Sequence, residues 1–218
     1  PTLSYPYILD RLGNKIDSVV LGEGEEILTQ LTNKVIAKQN WRDLPGIAYQ
    51  EGGVQVVNRP MDVIDLDSLP FASRDYLDYC LGKTNYATLM GSRGCYGQCT
   101  FCSNYSFENN KGGPRWRGRT PSLVVDEMQE IYESRSVTVF KFNDPNIFGP
   151  GRKGREHVRE VCEELIKRGL NLHLMGFCRG DDITSDPSVI PSLKAAGFER
   201  LLIGIESSDD LILQKFRK

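Results

Sequence analysis

Short apolar runs alternate with segments of helical periodicity from Tyr86 onward, and this alternation restricts the fold more than any other feature. Helical patterns follow Thr120 and end at Gly169 and at Gly197, residues of the types that cap and terminate helices. Strands that recur roughly every thirty residues with helices between them pair in parallel, so the sequence predicts an α/β fold of βαβ units. Four strands are predicted at residues 86–90, 137–142, 170–175 and 201–205, and the fourth is expected to be buried.

The part of the chain before this array has a different pattern. Residues 19–21 predict a short strand, and a helix follows to about Val35. Residues 46–50 and 54–57, separated by a glycine pair, predict a small hairpin that stands apart from that strand and helix. The segment that begins at Arg59 has no sustained period and predicts a connection. We therefore predict three parts, at residues 1–58, 59–84 and 85–218.

Composition and charge limit the classes of function. Lys and Arg number 27 against 29 Asp and Glu, so no nucleic-acid partner is evident. No apolar run reaches the roughly eighteen residues that a membrane span needs, and the first residues have neither the basic region nor the apolar core of a signal peptide. Six cysteines, three of them between positions 95 and 102, favour metal ligation in a reducing, cytoplasmic setting over a disulfide framework. The chain lacks an initiator Met and stops at Lys218 inside a helical pattern, so we expect a fragment of a longer protein.

A cysteine loop directly follows the first strand of the array. Its sequence is Gly94-Cys95-Tyr-Gly-Gln-Cys99-Thr-Phe101-Cys102, a C-x3-C-x2-C pattern. In parallel barrels, ligands gather at the carboxyl ends of the strands, where this loop is expected. Thiolates suit iron and sulfide, and three of them leave one iron of a four-iron cubane without a protein ligand. That iron could coordinate a substrate or a cofactor.

Other interpretations of the cysteines stay open. A structural zinc site needs a fourth ligand, which Cys80 could supply, because His157 and His173 lie far along the chain. An electron-transfer cluster and unligated core thiols are further alternatives. Cys162 lies on the apolar face of a predicted helix and is expected in the core, whereas Cys178 and Cys80 are expected as core or surface thiols.

The cysteine pattern, with an aromatic residue immediately before its last cysteine, resembles that of the radical S-adenosylmethionine (SAM) enzymes. Other segments are similar to the subgroup that carries a cobalamin-binding domain in front of the radical SAM barrel, and the likeness runs over nearly the whole chain. It implies a partial TIM-like (βα)6 barrel, of which about four βα units are present, preceded by the C-terminal remnant of a Rossmann-like cobalamin-binding domain. These segments are Gly22-Glu-Gly-Glu, Leu44-Pro-Gly-Ile-Ala-Tyr, Asp65-Leu-Asp-Ser-Leu-Pro-Phe, Gly91-Ser-Arg-Gly-Cys, Phe142-Asn-Asp-Pro-Asn-Ile-Phe, Arg179-Gly-Asp-Asp and Ile203-Gly-Ile-Glu-Ser.

The resemblance also implies a chemistry. Cys95, Cys99 and Cys102 would hold a 4Fe-4S cluster whose fourth iron binds SAM. An electron from reduced flavodoxin or ferredoxin would then cleave SAM to a 5'-deoxyadenosyl radical, which acts on a small-molecule or lipid-like substrate. Cobalamin and methyl transfer, with ring formation or rearrangement as alternatives, are implied by the subgroup alone. The D-x-H-x-x-G motif of members with an axial His is absent from this chain.

Four further residues match positions that contact SAM in the family. Each also has a structural alternative. Phe101 is expected near the adenine or as core filler, and Asp144 at the SAM amine or as a loop or capping residue, where many relatives have Gly-Gly-Glu instead. Arg179 is expected at the SAM carboxylate or in a surface salt bridge with Asp181 or Asp182. Glu206 is expected at the ribose hydroxyls or as an acid at a helix N-terminus.

Two local patterns carry less weight. Gly22-Glu-Gly24 does not predict dinucleotide binding, because Ile27 replaces the third glycine of that motif and acidic neighbours would repel a pyrophosphate. The run that contains Arg115, Arg117 and Arg119 is expected to be solvated, with a phosphate or substrate contact as the lesser alternative.

Overall fold

The computed structural model describes residues 2–59, 63–110 and 112–218, which form two compact units. Unit 1 comprises Pro1–Ile64 and Cys102–Pro114, and unit 2 comprises Asp65–Phe101 and Arg115–Lys218. Within the described residues the strands are β1 Val19–Val20, β2 Ile47–Glu51, β3 Val54–Val57, β4 Ala87–Leu89, β5 Ser92–Gly94, β6 Trp116–Gly118, β7 Val139–Phe142, β8 His173–Arg179 and β9 Phe198–Gly204. The α-helices of the same residues are α1 Tyr5–Leu12, α2 Glu25–Ile36, α3 Leu77–Thr84, α4 Ser103–Asn110, α5 Pro121–Arg135, α6 Gly151–Arg168, α7 Gly180–Ser185, α8 Val189–Ala195 and α9 Asp210–Phe216.

Unit 1 contains a three-stranded antiparallel sheet in the order β1-β2-β3. The predicted hairpin is confirmed, and its turn uses Gly52 and Gly53 at φ 57° and 83°, a region that glycine enters without strain. The hairpin does not stand apart as predicted, because β1 pairs with β2 through Val19 and Ala48. The two-turn helix α1 was not predicted, since eight residues give too few periods to recognise.

Unit 2 is built on a parallel sheet in the order β4-β7-β8-β9, so the predicted α/β fold of βαβ units is confirmed. The helix predicted after Thr120 is α5, which has Pro121 in its first turn, and α6 ends at Gly169 with φ 64° as predicted. The third strand begins and ends later than predicted, at His173 and Arg179. The segment from residue 59 to 84 contains α3 and a short turn of 3-10 helix at Leu66–Ser68, and residues 60–62 of it lie outside the described residues.

The sheet of unit 2 has two different faces, because successive side chains of a strand point to opposite sides. One side, the helix face, carries Leu89, Phe140 and Leu174, which share a buried core with residues of α5, α6 and α8. The other side, the open face, carries a row of side chains at directly paired positions of the four strands. These are Thr88, Lys141, Met175 and Arg200.

Burial of the fourth strand differs from the prediction. Residues 201–205 were expected to be buried, but Leu202 is 50% and Ile203 is 41% exposed. The reason is the position of β9 at the end of the sheet, where only β8 pairs with it among the described strands. Leu201 still packs against the core cluster. No helix within residues 2–59, 63–110 and 112–218 combines the length and the apolar character that crossing a membrane requires.

Candidate functional site

The cysteine loop leaves the sheet unit through a two-stranded antiparallel ribbon that the sequence did not predict. Strand β5 pairs with β6, with Ser92 opposite Gly118 and Gly94 opposite Trp116. Gly94 has φ 86°, a conformation that residues with a side chain rarely adopt. The chain therefore turns at Gly94, and Cys95 follows this turn directly.

The sulfur atoms of Cys95 and Cys99 both accept hydrogen bonds in unit 2. The backbone N of Gly97 donates to Cys95 Sγ at 3.4 Å, and Arg179 Nη1 donates to Cys99 Sγ at 3.3 Å. A Cβ atom at Gly97 would lie 2.7 Å from Arg179 Nη1 and 3.4 Å from Cys95 Sγ, so only glycine leaves room for this arrangement. Hydrogen-bond donors beside sulfur are the outer contacts that orient and tune the ligands of a metal site.

Cys102 begins the segment that belongs to unit 1 and is half-buried. Among the described residues, no three Cys, His, Asp or Glu side chains are grouped so as to hold a metal ion. The assignment of Cys95, Cys99 and Cys102 as one ligand set therefore stays a prediction from the sequence.

Arg179 lies at the carboxyl end of β8, and its side chain is only 11% exposed. Its Nη2 atom forms an ion pair with Asp181 Oδ2 at 2.6 Å, which is the salt bridge named as its structural alternative. The guanidinium carbon also lies 5.7 Å from the ring centroid of Tyr96. The Nε atom of Arg179 is buried and has no hydrogen-bond partner among the described residues. Arg179 thus contacts the cysteine loop and keeps one donor unused.

A buried polar network also fixes the loop to the ends of two strands. The Tyr96 hydroxyl donates to Asp182 Oδ1, and Asn146 Nδ2 donates to Asp182 Oδ2 at 2.9 Å. Asp182 is 2% exposed and accepts a third hydrogen bond from the backbone N of Arg179 at 3.3 Å. Burial raises the pKa of Asp182. Burial is also the largest cause of the raised pKa of Tyr96. The network holds Tyr96, and with it the first turn of the loop, beside the ends of β7 and β8.

Asp144 follows β7 and is fully enclosed. Its Oδ1 accepts a hydrogen bond from Gly91 N at 3.0 Å, and its Oδ2 accepts one from Ser92 Oγ at 2.6 Å. Burial raises the pKa of Asp144 to about 6. The carboxyl group therefore connects the end of β7 to the start of β5. These contacts with Gly91 and Ser92 suit the alternative role of Asp144 as a loop residue.

Phe101 and Glu206 occupy less enclosed positions. Phe101 is 53% exposed, and its ring packs edge-on against Phe216 with centroids 5.2 Å apart, so it is not core filler. The backbone N of Thr100 donates to Phe216 O at 3.0 Å, which holds this part of the loop against the end of α9. Glu206 follows β9 at φ 64°, and its Oε1 lies 3.3 Å from Lys218 Nζ.

The basic run is less solvated than predicted. Arg119 is half-buried, pairs with Glu127 Oε2 at 2.6 Å and donates to Met90 O at 3.0 Å. Arg74 pairs with Glu127 Oε1 and donates to Thr88 O at 2.8 Å. Glu127 is 4% exposed, so one buried carboxylate pairs with two guanidinium groups. These side chains border a cavity of about 230 Å³ beside the free edge of β4.

The remaining cysteines are separate from the loop. Cys162 lies in the core of unit 2 as predicted, and Cys178 is also buried. Burial raises the pKa of both thiols to about 12, so they are unreactive near neutral pH. Cys80 is an exposed thiol on α3.

The sequence does not single out Tyr96, Asn146 or Glu127, and it indicates Asp182 only as a possible salt-bridge partner of Arg179. Tyr96 carried one usable signal, since an amphipathic side chain inside a metal-ligand loop needs a partner for its hydroxyl. The partner itself, Asp182, is 86 residues away and leaves no local pattern. Of the predicted site residues, the structure brings Arg179 and Cys99 into direct contact.

Comparison with known proteins gives consistent matches over the region of the site. Residues 89–218 match the family model described as the Radical SAM superfamily. The chain is 28% identical to an anaerobic magnesium-protoporphyrin IX monomethyl ester cyclase of Synechocystis, over 100% of this chain and 42% of that protein. It is 26% identical to a hopanoid C-3 methylase of Methylococcus capsulatus, over 97% of this chain and 39% of that protein.

A solved structure shares the fold. The cobalamin-dependent S-adenosylmethionine radical enzyme OxsB, with aqua-cobalamin and S-adenosylmethionine bound, superposes with a TM-score of 0.79 at 22% identity. The match covers 99% of this chain and 31% of OxsB. The chain thus spans less than half the length of each of these relatives.

Proposed function

This chain belongs to the radical SAM superfamily, and we propose that the protein containing it is an enzyme that reductively cleaves S-adenosylmethionine at a 4Fe-4S cluster. The observation that supports this most directly is the setting of the cysteine loop. It follows β5, which comes shortly after β4 of the parallel sheet, and the sulfurs of Cys95 and Cys99 accept hydrogen bonds from Gly97 N and Arg179 Nη1. Such donors lower the energy of thiolate ligands, so the residues present fit an iron-sulfur cluster.

Cys95, Cys99 and Cys102 are the proposed cluster ligands. When bound, the cluster supplies the electron that breaks the sulfonium C–S bond of SAM, which gives methionine and a 5'-deoxyadenosyl radical. Arg179 balances negative charge at Cys99 and keeps a buried Nε donor open toward a carboxylate. Tyr96 and Asp182 hold the loop in place through a hydrogen bond to a carboxylate that is 2% exposed.

We also propose the remaining SAM contacts as the family pattern assigns them. Arg179 would pair with the SAM carboxylate and Phe101 would pack on the adenine, for which its 53% exposed ring is available. Glu206 would bind the ribose hydroxyls. Asp144 is proposed at the SAM amine, although its present contacts with Gly91 and Ser92 also suit a role in shaping the loop.

The reaction class is proposed as carbon-centred chemistry on a small-molecule or lipid-like substrate, with methyl transfer or ring rearrangement at an unactivated carbon. Support comes from relatives named as a cyclase and a methylase, and from the cobalamin-dependent OxsB. When bound, cobalamin would supply the transferred methyl group. Residues 1–58 are proposed to end a cobalamin-binding domain, 59–84 to connect, and 85–218 to form the truncated radical SAM core. Reduced flavodoxin or ferredoxin is the proposed electron donor in a reducing, cytoplasmic setting.

Anaerobic purification and reconstitution of the full-length protein test the function. We expect a brown protein with about four iron and four sulfide per chain. With SAM and dithionite it should form 5'-deoxyadenosine. Alanine at Cys95, Cys99 or Cys102 should abolish 5'-deoxyadenosine and lower the iron content, whereas Cys80→Ala, which removes an exposed thiol, should retain both. A colourless protein that holds one zinc would instead identify a zinc-stabilised binding module, and unchanged iron and product in the three alanine variants would refute the proposal.

A further inference from the structure

Lys141 is a cation in the middle of the open face of unit 2. It occupies the third position of β7, between Phe140 and Phe142, which both point into the core. The Lys141 side chain points the other way. Its Nζ lies 5.2 Å from the ring centroid of Phe177 and 5.9 Å from that of Tyr86. Two aromatic rings therefore flank a half-buried ammonium group.

Within residues 2–59, 63–110 and 112–218, the ammonium group of Lys141 has no anionic partner. Among the residues that the structure describes, Lys141 forms neither an ion pair nor a side-chain hydrogen bond, and its polar contacts are the two rings. Aromatic faces attract a cation but accept none of its three N–H donors in conventional hydrogen bonds. A half-buried charge in this state favours the binding of an acceptor that also supplies negative charge.

The surroundings of Lys141 suggest what kind of molecule supplies that acceptor. Met175 stands beside Lys141 in the row of the open face, and Arg200 follows Met175. A cavity of about 450 Å³ is lined by Tyr86, Met175 and Arg200, so it adjoins two of the side chains that neighbour Lys141. His173 Nδ1 and Glu199 Oε1 also line it and lie 2.6 Å apart, and the exposed Arg200 lies beyond Met175 in the row. The walls nearest Lys141 are thus aromatic and thioether groups.

We propose that Lys141 binds the carboxylate of a ligand whose apolar body lies against Tyr86, Phe177 and Met175. A single ammonium group matches one negative charge, whereas phosphate sites commonly use several donors or a bidentate Arg. The inference rests on the proposed function only in identifying this ligand as the substrate. The binding site itself needs no cluster and no turnover, and the two rings that Lys141 contacts are not residues of the cysteine loop.

A pair of matched probes tests the site in the full-length, reconstituted protein. 2-Naphthoate carries a carboxylate on an aromatic body, and 2-naphthamide is its neutral counterpart. We expect wild-type protein to bind naphthoate, and Lys141→Met to weaken it at least about tenfold, as loss of a charge-assisted hydrogen bond predicts. Affinity for naphthamide should be the same in both proteins. Lys141→Arg should retain most of the affinity for naphthoate, and Lys194→Met, which removes an exposed lysine of α8, should change neither probe.

Two controls separate this inference from the proposed function. Thermal melting and iron content of Lys141→Met report whether the variant folds and loads like wild type. Equal naphthoate affinity in wild type and Lys141→Met, or an absence of charge-dependent binding in wild type, would overturn the carboxylate site. Loss of the proposed function would appear separately, as wild-type protein without iron or without 5'-deoxyadenosine.

Discussion

The two faces of the parallel sheet in unit 2 are held together by different forces. On the helix face, Phe140 and Leu174 are at most 1% exposed and pack with residues of three helices. On the open face, Lys141 and Arg179 are cations whose neighbours are rings, a carboxylate and a cysteine sulfur. The helix face therefore stabilises the fold, while the open face and the strand ends supply binding groups. Stability and function are separated by the two-residue period of the same strands.

A matched pair of phenylalanines provides the largest test of this difference. Phe140→Ala removes a fully buried ring from the helix face, and we expect it to lower the free energy of unfolding by about 4 kcal/mol. Phe177→Ala removes a half-buried ring from the open face and should cost about half as much. Urea denaturation of the two variants measures both values. Equal losses would mean that the open face is also a structural core.

The second test concerns Asp144. It follows Phe140 and Phe142 at the same two-residue period, so it is a polar residue on the otherwise apolar helix face. Its pKa is raised by burial from the ordinary value of 3.8 to about 6. An acid with a higher pKa in the folded state stabilises the fold fully below pH 3.8, and this stabilisation is lost as the pH rises through about 6. Relative to Asp144→Asn, wild type should therefore lose up to about 3 kcal/mol of unfolding free energy between about pH 4 and pH 7. Urea denaturation at several pH values would show identical pH dependence in both proteins if Asp144 were not responsible.

The smallest expected effect concerns Arg179 on the open face. Arg179→Met removes the donor to Cys99 Sγ, which destabilises the more negative, reduced form of the proposed cluster. We expect the midpoint potential to fall by about 60 mV, the equivalent of one charge-assisted hydrogen bond. Redox titration followed by electron paramagnetic resonance measures this shift. Arg179→Lys should restore part of it, and Arg152→Met, which removes an 87% exposed side chain on α6, should leave the potential unchanged.

The sequence predicted the helix face better than the open face and the strand ends. Apolar periodicity reports burial on the helix face. We could therefore predict the helices after Thr120 and before Gly169, and the order of these strands along the chain. Periodicity does not report the end of a sheet, and for that reason β9 was wrongly expected to be buried. The contacts that shape the cysteine loop join distant residues, such as Ser92 and Asp144, 52 positions apart. Such pairs leave no trace in the spacing of either segment.

The pairing of Arg74 and Arg119 with Glu127 has a consequence for the behaviour of the folded chain in concentrated solution. An end strand with unsatisfied carbonyl groups is a template onto which another polypeptide can add, and fibrous aggregates grow by that route. In this chain, Arg74 and Arg119 already donate to Thr88 O and Met90 O on the outer side of β4, and Glu127 holds both guanidinium groups there. An intruding strand would have to displace two bulky charged groups, so this border of the sheet is protected against self-assembly.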